Sequence, residues 1–488
     1  MNDDELKKRL YVSNFDEWQT DCQIKFFSDR ELTVKTVKSG LILPPVLKKA
    51  GKYNEYSGGV CDEYFNFVDG FYRCKAPGNT SDEIRSSYRC TEEEIETINE
   101  DVIWGGLVIG HFGHIILECL GKMWYILQNP SRKEKIVFIR FIRKKSEDLF
   151  IKFLNLLDIP KERILFISKP TKFNSIIVPE SSIHSECDYT KEYLMPYKYI
   201  CNKIKPSIYK KIYLTRSKFG NSNKTINEEY FEEYFSKHGY KVISPEKLSL
   251  EEQISLISGA NEIAATIGTL THWALFCKPG TKFTMILRKN YDLSMPQCLV
   301  NEATKVNWYI VDASVGFLRS AHHDGPHFLG STIYWQKYIQ DHFNDSVPDD
   351  RWKSYIFEYM LQWGIVNLNP ECKIKERGIN FVRSLDVMSF LRSLYNLLKY
   401  NGLPYELKNY LDKDLDNFSA KYDLENIVIF GAGNWGKNLI KIFKQSKYRD
   451  MKMYFCDNDP NKWHKSIFVG GGVSNSHFSG RINKKLSQ

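Results

Sequence analysis

The sequence predicts an α/β protein built from parallel sheets, and three stretches of the chain carry this prediction. Apolar runs of strand length alternate with amphipathic helical patterns from about residue 100 to 180, and again from about 208 to 287. Such alternation is typical of β-α-β units, whose strands lie parallel in one sheet. A third, shorter alternation begins at residue 426 with a glycine-rich segment.

The composition is that of a globular chain with large cores. Of its 488 residues, 42% are hydrophobic and 14% are aromatic, unlike a disordered sequence. The formal net charge of +9 is mild for this length, and the lysines are spread along the chain. A nucleic-acid groove needs denser basic residues interleaved with aromatics, so we expect no nucleic-acid partner.

Cysteine usage and hydropathy indicate the compartment. The eleven cysteines are scattered without a C-x-x-C pair, so neither a zinc site nor a disulfide framework is predicted. The start "MNDDELKKRL" lacks the apolar core of a signal peptide, and no run approaches the roughly 18 apolar residues of a membrane helix. We therefore expect a cytoplasmic protein whose membrane contact, if any, is peripheral at the inner face.

The first predicted domain, residues 1–205, starts with a β-rich leader over residues 1–95. Its α/β part contains an amphipathic helix at 146–159, where apolar residues recur at i, i+3 and i+4. The predicted strands are "GLILPP" (40–45), "KIVFIRF" (135–141), "RILFIS" (163–168) and "SIIVPE" (175–180).

The second predicted domain, residues 206–335, repeats the alternation. A helix at 227–239 has an acidic start and Gly239 at its stop, and a helix at 249–260 opens with a serine cap followed by Gln or Glu near N3. A further helix is predicted at 271–280, closed by Pro-Gly. The predicted strands are "KKIYLTRS" (210–217), "YKVISP" (240–245), "EIAATIG" (262–268) and "TKFTMIL" (281–287).

Residues 110–121, "GHFGHIILECLG", form an apolar helical pattern that carries two imidazoles and a carboxylate. On a helix, His114 and Glu118 share a face, and His111 lies one turn earlier. A buried carboxylate needs a partner or a wet cleft. The sequence leaves two interpretations open: a His–Glu hydrogen bond that only stabilises the helix, or a general base in a cleft. No metal site is predicted, because H-x-x-x-E lacks further ligands.

The second domain carries features that suit a phosphate. Arg216 follows a strand, and Gly268-Thr269 join a strand end to a helix start, where backbone N–H groups and the helix dipole favour anions. Each feature also has a purely structural alternative: a surface ion pair for Arg216, an N-cap for Asn227, and an ordinary turn for Gly268-Thr269.

Taken together, the motifs resemble those of the family 61 glycosyltransferases in their bacterial capsular-polysaccharide branch. The similarity covers roughly residues 40 to 340, including 311–330, and it lies in the order and spacing of the motifs. Lys122 stands where arginine is more usual. The matching positions are Gly58-Gly59-Val60-Cys61-Asp62, Gly106 to Glu118, Lys122, Trp124, Arg216, Asn227-Glu228, Gln253, Ala260, Gly268-Thr269 and Phe276.

The resemblance implies a GT-B-type enzyme with two facing Rossmann-like domains, one on the acceptor side and one binding the donor. Such an enzyme is an inverting hexosyl- or pentosyltransferase that needs no cofactor; its partners are a nucleotide-diphosphate sugar and a glycan acceptor, lipid-linked as one option. Glu118 is the expected general base with His114, and the sequence leaves open which of the two accepts the proton. The expected donor-binding residues are Arg216, Asn227, Glu228, Gly268, Thr269 and His272, with His111 and Gln253 lining the site.

The C-terminal part adds two predicted segments, a mostly helical one over 336–420 and a partial Rossmann-like module over 421–488. The latter carries G-x-G-x-x-G after a strand (Gly431, Gly433, Gly436), followed by Asp457 at the end of the next apolar strand. That is a nucleotide-binding pattern, but only one half of a dinucleotide fold. A nucleotide site and a structural or partner-binding module both stay open, and NAD(P) is not expected as a cofactor.

Two functions compete with sugar transfer at this level. The glycine-rich motif would suit an NAD(P)-dependent oxidoreductase, although the missing second half weighs against it. A non-catalytic glycan-assembly protein is the other alternative, against which the presence of His114, Glu118 and Arg216 counts.

Overall fold

The computed structural model describes most of the chain before residue 363 and four short strands after residue 425. The described residues are 2–356, with gaps at 14, 50–54, 77–78, 142–146, 185–186, 219–224, 290–294, 317–324 and 347–350, then 358, 359, 362, 426–430, 452–456, 467–469 and 472–474.

The described helices and strands alternate as an α/β chain. The α-helices are α1 (Asp3–Lys7), α2 (Phe15–Cys22), α3 (Phe112–His114), α4 (Met123–Gln128), α5 (Glu147–Leu156), α6 (Met195–Lys203), α7 (Glu228–Lys237), α8 (Leu250–Gly259), α9 (Met295–Thr304) and α10 (Ile333–Phe343). The strands are β1 (Leu10–Tyr11), β2 (Val34–Lys38), β3 (Leu41–Lys49), β4 (Glu55–Cys61), β5 (Phe67–Asp69), β6 (Phe71–Ala76), β7 (Asn79–Ile84), β8 (Glu96–Ile109), β9 (Lys135–Phe141), β10 (Ile164–Ile167), β11 (Thr171–Pro179), β12 (Ile183–His184), β13 (Asp188–Tyr189), β14 (Lys211–Leu214), β15 (Thr225–Ile226), β16 (Lys241–Ile243), β17 (Glu262–Thr266), β18 (Lys282–Leu287), β19 (Asn307–Asp312), β20 (His327–Phe328), β21 (Asn426–Phe430), β22 (Lys452–Cys456), β23 (Ile467–Val469) and β24 (Gly472–Ser474).

The described chain forms two compact units. The first comprises Met1–Lys218, Glu228–Ala313 and Ile333–Asp345, and it contains both large sheets. The second comprises Phe219–Asn227, Ser314–Thr332 and Ser346–Gln488. The four segments suggested by the sequence, 1–205, 206–335, 336–420 and 421–488, stay predictions.

The first large sheet has four parallel strands on one side and a mostly antiparallel extension on the other. Its strand order is β10-β9-β8-β11-β3-β4-β7-β6, with β2 on β11 and β5 on β4. The strands β10, β9, β8 and β11 pair parallel, as the alternation of the sequence predicts, while β11–β3 and β3–β4 pair antiparallel. The β-rich leader therefore widens a parallel sheet rather than forming one of its own.

The second large sheet is parallel throughout, in the order β1-β19-β18-β17-β14-β16. Most of its strands begin with a charged or polar residue and continue with mainly apolar, buried ones, which is typical of a sheet covered on both faces. The edge strand β1 comes from the N-terminus, since Leu10 and Tyr11 pair with Ile310 and Val311. The alternation of sequence patterns gave no indication of this pairing.

The predicted cap of one helix is confirmed. The helix α8 begins with the predicted cap: the Ser249 side chain accepts from the N–H of Glu252, and the Glu252 side chain accepts from the Ser249 N–H. In the helical segment predicted over 336–420, α10 and a 3₁₀ turn at Arg351–Tyr355 are described, and residues 363–420 lie outside the described part.

Two helices differ from the prediction. Residues 110–121 do not form one α-helix; α3 is followed by a π-helical turn over Ile115–Cys119. Residues Thr269–Phe276 form a 3₁₀ helix that starts two residues before the predicted helix at 271. Both deviations lie where the chain leaves a sheet and packs against a second element. Tertiary contacts therefore decide the helical pitch at these two places.

Cys187 is disulfide-bonded, which differs from the expectation that no disulfide framework is present. The described free cysteines are Cys22, Cys61, Cys90, Cys119, Cys201, Cys277 and Cys298. The cytoplasmic location stays a prediction. Within the described part of the chain, no helix is long and apolar enough to cross a bilayer.

Lys122, the departure from the family pattern, has a structural role. Its side chain is only 8% exposed, and Nζ donates to Asp69 Oδ2 at 3.0 Å and to the Pro179 carbonyl at 2.6 Å. Trp104 Nε1 donates to the same Asp69 oxygen at 2.7 Å. The ammonium group therefore ties β5 to the end of β11.

We expect Lys122→Met to lower the free energy of unfolding by about 1–3 kcal/mol, because it leaves partly buried acceptors without a charged donor. Urea unfolding followed by circular dichroism measures the change. Lys135→Met is the matched control: Lys135 forms a half-exposed ion pair with Glu100 at 2.8 Å, and its removal should cost no more than about 1 kcal/mol. Equal losses in the two variants would contradict the role given to Lys122.

Candidate active site

The candidate site lies in the first unit, where segments that follow β8 and β17 pack against each other. Phe112 in α3 and Trp273 in the 3₁₀ helix have ring centroids 5.3 Å apart. A Cβ on Gly113 would lie 3.3 Å from His111 Nδ1 and 3.5 Å from His272 Cδ2, so the glycine permits this close approach. The two α/β blocks of the sequence thus contribute to one cluster, composed of His111, His114, Glu118 and His272.

The π-helical turn is held by two buried tyrosines. A π-helix changes the hydrogen-bond step from i+4 to i+5 and leaves carbonyl groups to be satisfied elsewhere. The Tyr197 hydroxyl donates to the Ile116 carbonyl at 2.5 Å, and the Tyr193 hydroxyl donates to the Leu117 carbonyl at 3.1 Å. Burial raises the pKa of both phenols, so they stay protonated donors. These contacts fix the turn that carries Glu118.

His114 and Glu118 form the pair predicted from their spacing. The Nδ1 atom of His114 lies 3.4 Å from both carboxylate oxygens of Glu118. The Glu118 side chain is 4% exposed and that of His114 is 27% exposed, so the imidazole is the member of the pair that solvent reaches more readily. The ring of His111, the exposed N-cap of α3, lies 5.5 Å from that of His114.

His272 is a neutral imidazole in the same cluster. Its Nδ1 lies 2.8 Å from Oε1 of Gln297, which also accepts from the Thr271 hydroxyl at 2.7 Å. Gln297 Nε2 donates to Asn301 Oδ1 at 2.9 Å, which fixes the amide orientation. His272 Nδ1 is therefore the donor, and Nε2 is left as a hydrogen-bond acceptor.

The charge state of His272 follows from its surroundings. Burial lowers its pKa to about 4, opposed by the Gln297 hydrogen bond, while the charges of His114 and His111 lower it further and Glu118 raises it. A neutral ring with an acceptor at Nε2 does not suit a phosphate oxygen. The contacts therefore place His272 with the carboxylate–imidazole group rather than with the phosphate-binding residues predicted from the sequence.

A pair of arginines stands at the carboxyl edge of the second sheet. Arg216 follows β14 and Arg288 directly follows β18, and the strand between them, β17, leads into Gly268. A Cβ on Gly268 would lie 2.6 Å from a terminal nitrogen of Arg288 and 3.9 Å from one of Arg216, and its φ of 132° favours glycine. Two guanidinium groups thus converge on a glycine, beside the half-buried Thr269.

The loop that carries Arg216 is held by two carboxylates of α7. Glu228 Oε1 accepts from the Arg216 main-chain N–H at 3.0 Å. Glu232 accepts from the Thr215 and Ser217 hydroxyls, the latter at 2.5 Å. Burial lowers the pKa of Arg216, while Glu228 and Glu246 raise it. Glu228 is therefore a buried support behind the arginine.

Other positions of the predicted site have structural contacts. Gln253 Nε2 donates to the Leu248 carbonyl at 3.0 Å, at the start of α8. In the second unit, Asn227 has a positive φ of 64°, and its amide donates to the Leu329 carbonyl at 3.0 Å. Asp62 accepts from the N–H groups of Tyr64 and Asn66 at 2.9 and 2.8 Å, which makes it a turn residue.

The C-terminal nucleotide motif is described only by its strands. In the second unit, β21 and β22 pair in parallel from Asn426–Lys452 to Phe430–Cys456. Gly431, Gly433, Gly436 and Asp457 lie outside the described residues.

Arg288 and Gln297 were not predicted from the sequence as site residues. Like Arg216, Arg288 is an arginine just after a buried strand, so the same sequence pattern could have identified it. Gln297 sits on α9, and no local pattern connects it with His272. In the described part of the chain, no group of three or more His, Cys, Asp or Glu side chains is arranged to hold a metal ion.

Comparison with known proteins gives one family match. Residues 112–284 match the model of the family described as Glycosyltransferase 61. The matched segment begins at Phe112 and ends within β18, so it includes Glu118, Arg216 and Gly268 and stops before Arg288. No curated protein matches the chain significantly. The match supports the family 61 resemblance and a glycosyltransferase activity.

Proposed function

We propose that the chain is an inverting glycosyltransferase of the GT-B type, which moves a sugar from a nucleotide-diphosphate donor to a glycan acceptor in the assembly of a surface or capsular polysaccharide. The observation that carries this proposal is that one short helix connects the arginine pair with the histidine–glutamate cluster. The arginine pair lies at the start of the 3₁₀ helix Thr269–Phe276, and His272 on that helix belongs to the cluster of His114 and Glu118. The proposed setting is the cytoplasm, at the inner face of a membrane.

The arginine pair is the proposed diphosphate site. Guanidinium groups bind phosphate oxygens through paired, charge-assisted hydrogen bonds. Gly268 leaves open the space that any side chain would take from Arg288. The N–H groups that begin the 3₁₀ helix add further donors near Thr269.

The cluster of Glu118, His114 and His272 is the proposed base. A sugar hydroxyl is a poor nucleophile at neutral pH, so a positioned base raises the rate of its attack. The Glu118 side chain is 4% exposed and its carboxylate lies 3.4 Å from Nδ1 of His114, whose side chain is the more exposed member of the pair. The pair accepts the proton as a unit, with His114 toward the acceptor and Glu118 stabilising the imidazolium.

The proposed reaction is a single displacement. The acceptor hydroxyl gives its proton to the His114–Glu118 pair while its oxygen forms a bond to the anomeric carbon. The bond from that carbon to the diphosphate oxygen breaks, and the electron pair leaves with the nucleoside diphosphate. Arg216 and Arg288 stabilise the charge that develops on the leaving group.

A thermal-shift panel with UDP, GDP, CMP and NAD tests the proposal. We expect one nucleoside diphosphate to raise the melting temperature, because a ligand at 100 times its Kd stabilises the native state by about 2.7 kcal/mol. Stabilisation by NAD alone would favour the oxidoreductase alternative. No shift with any nucleotide would favour a non-catalytic assembly protein.

A further inference from the structure

We propose that Glu228 takes up a proton when the donor binds, so that donor affinity depends on pH. This inference rests on the proposed function, because it takes the arginine pair as the diphosphate site. In this inference Glu228 does not contact the donor, and it acts through the two arginines that do.

The position of Glu228 is unusual for a carboxylate. It is the first residue of α7 and is 0% exposed. Its Oε1 accepts from the Arg216 N–H at 3.0 Å and from the Tyr213 hydroxyl at 3.4 Å. Among the described residues, its Oε2 has no hydrogen-bond partner. Burying a carboxylate with one unsatisfied oxygen costs much more free energy than burying the same group in its protonated, neutral form.

The charged groups around Glu228 act on its pKa in opposite directions. Arg288 and Arg216 favour its ionised form, while Glu232, one turn along α7, disfavours it. Tyr213 of β14 faces it as a neutral donor, since burial raises that phenol's pKa well above its ordinary value. Burial raises the pKa of Glu228 to about 7, against the hydrogen bond from the Arg216 N–H. Without a bound donor, the two arginines therefore keep the carboxyl group of Glu228 partly ionised near neutral pH.

Donor binding shifts this balance in one direction. A diphosphate on Arg216 and Arg288 neutralises the positive field that stabilises the Glu228 carboxylate, and its own negative charge repels the carboxylate. Both effects raise the pKa of Glu228, so the bound state carries more protons than the free state. At pH values below about 7 Glu228 is protonated in both states, and donor affinity is constant. As the pH rises from the pKa of Glu228 in the free protein toward its pKa in the complex, donor affinity falls. The total fall is roughly tenfold for each unit by which these two pKa values differ.

Isothermal titration calorimetry with a nucleotide sugar measures the proton directly. UDP-glucose and GDP-mannose are suitable probes, since their diphosphate diesters have no proton that titrates near neutral pH. Titrations of the full chain at pH 7.5 in two buffers of different ionisation enthalpy give the number of protons exchanged. We expect an uptake of roughly half a proton per bound ligand, and weaker binding at pH 8.5 than at pH 6.5.

Glu228→Gln is the specific variant, because its carbonyl oxygen still accepts from the Arg216 N–H but does not titrate. It should bind the same nucleotide sugar without proton uptake and without the change in affinity between pH 6.5 and 8.5. Glu229→Gln is the matched control, because Glu229 is the next residue on α7 but is exposed. It should keep both properties of the wild type.

The outcomes separate the inference from the proposed function. Binding by the wild type with no proton exchange overturns the inference and leaves the function standing, whether or not Glu228→Gln folds. Uptake that persists in Glu228→Gln assigns the proton to another group and also overturns it. Failure of the wild type to bind these nucleotide sugars and every nucleotide of the thermal-shift panel overturns the proposed function itself.

Discussion

Replacing Glu118 with glutamine should lower the turnover of sugar transfer by roughly two to four orders of magnitude, the usual contribution of a general base. Glutamine keeps the size of the side chain and its contact with His114, but it cannot stabilise an imidazolium. Donor affinity should change little, because Arg216 and Arg288 belong to a separate group. Turnover measured at saturating donor, together with the donor Kd, checks both expectations.

The role of His114 is tested by a second variant. His114→Ala should be about as damaging as Glu118→Gln, and the double variant should lose little more, because the two residues act as a unit. Full activity in Glu118→Gln with none in His114→Ala would make the imidazole alone the base. Activity in both would mean that the pair only stabilises the turn after α3.

Removing either guanidinium group should weaken donor binding by about 10- to 100-fold, the value of one or two charge-assisted hydrogen bonds. The variants are Arg216→Ala and Arg288→Ala. Melting of the free protein should be nearly unchanged, because the pKa of Glu228 lies near 7 and this carboxyl group can take a proton when a counter-charge is lost. Calorimetric Kd values and melting curves provide the two measurements.

Arg132→Ala is the matched control for the arginine pair. Arg132 is exposed and pairs with Glu134 at 2.6 Å, so its loss should leave donor affinity unchanged. If Arg288→Ala bound the donor like the wild type, the diphosphate would lie elsewhere along the second sheet. Equal losses in all three variants would indicate a non-specific effect of net charge.

The sequence predicted the elements of the fold better than their arrangement. The strands β9, β14, β17 and β18 and the cap of α8 follow from local apolar periodicity and from a Ser249–Glu252 capping box. The pairing of β1 with β19 was not predictable in this way. It joins two residues near the N-terminus to a strand about 300 positions later. A strand of two residues is too short to show a hydrophobic periodicity.

Residues of the candidate site were predictable from sequence where an arginine or a glycine comes just after a buried strand. Arg216 and Gly268 were found by this rule, and Arg288 satisfies it equally. The pitch of the chain around Glu118 was not predictable, because a spacing of four residues suits both an α- and a π-helical turn. Tyr193 and Tyr197 decide it, and they come from a segment some 75 residues further along.

The charge states around the site also depend on tertiary contacts. His272 read from sequence is a candidate phosphate ligand, but its hydrogen bond to Gln297 and its burial make it neutral. Glu228 read from sequence is a donor-binding residue, but its carboxylate points to the main chain of Arg216. The residue that decides the interpretation lies on α9 for His272 and in the loop after β14 for Glu228.

A transfer assay read by mass spectrometry tests the central claim most directly. Wild-type protein and Glu118→Gln are incubated with a panel of nucleotide-diphosphate sugars and glycan acceptors. The proposal predicts an acceptor heavier by one sugar residue, with release of one equivalent of nucleoside diphosphate, in the wild type and almost none in the variant. A wild type that binds a nucleotide sugar but adds nothing to any acceptor, or a variant that transfers as fast as the wild type, would contradict it.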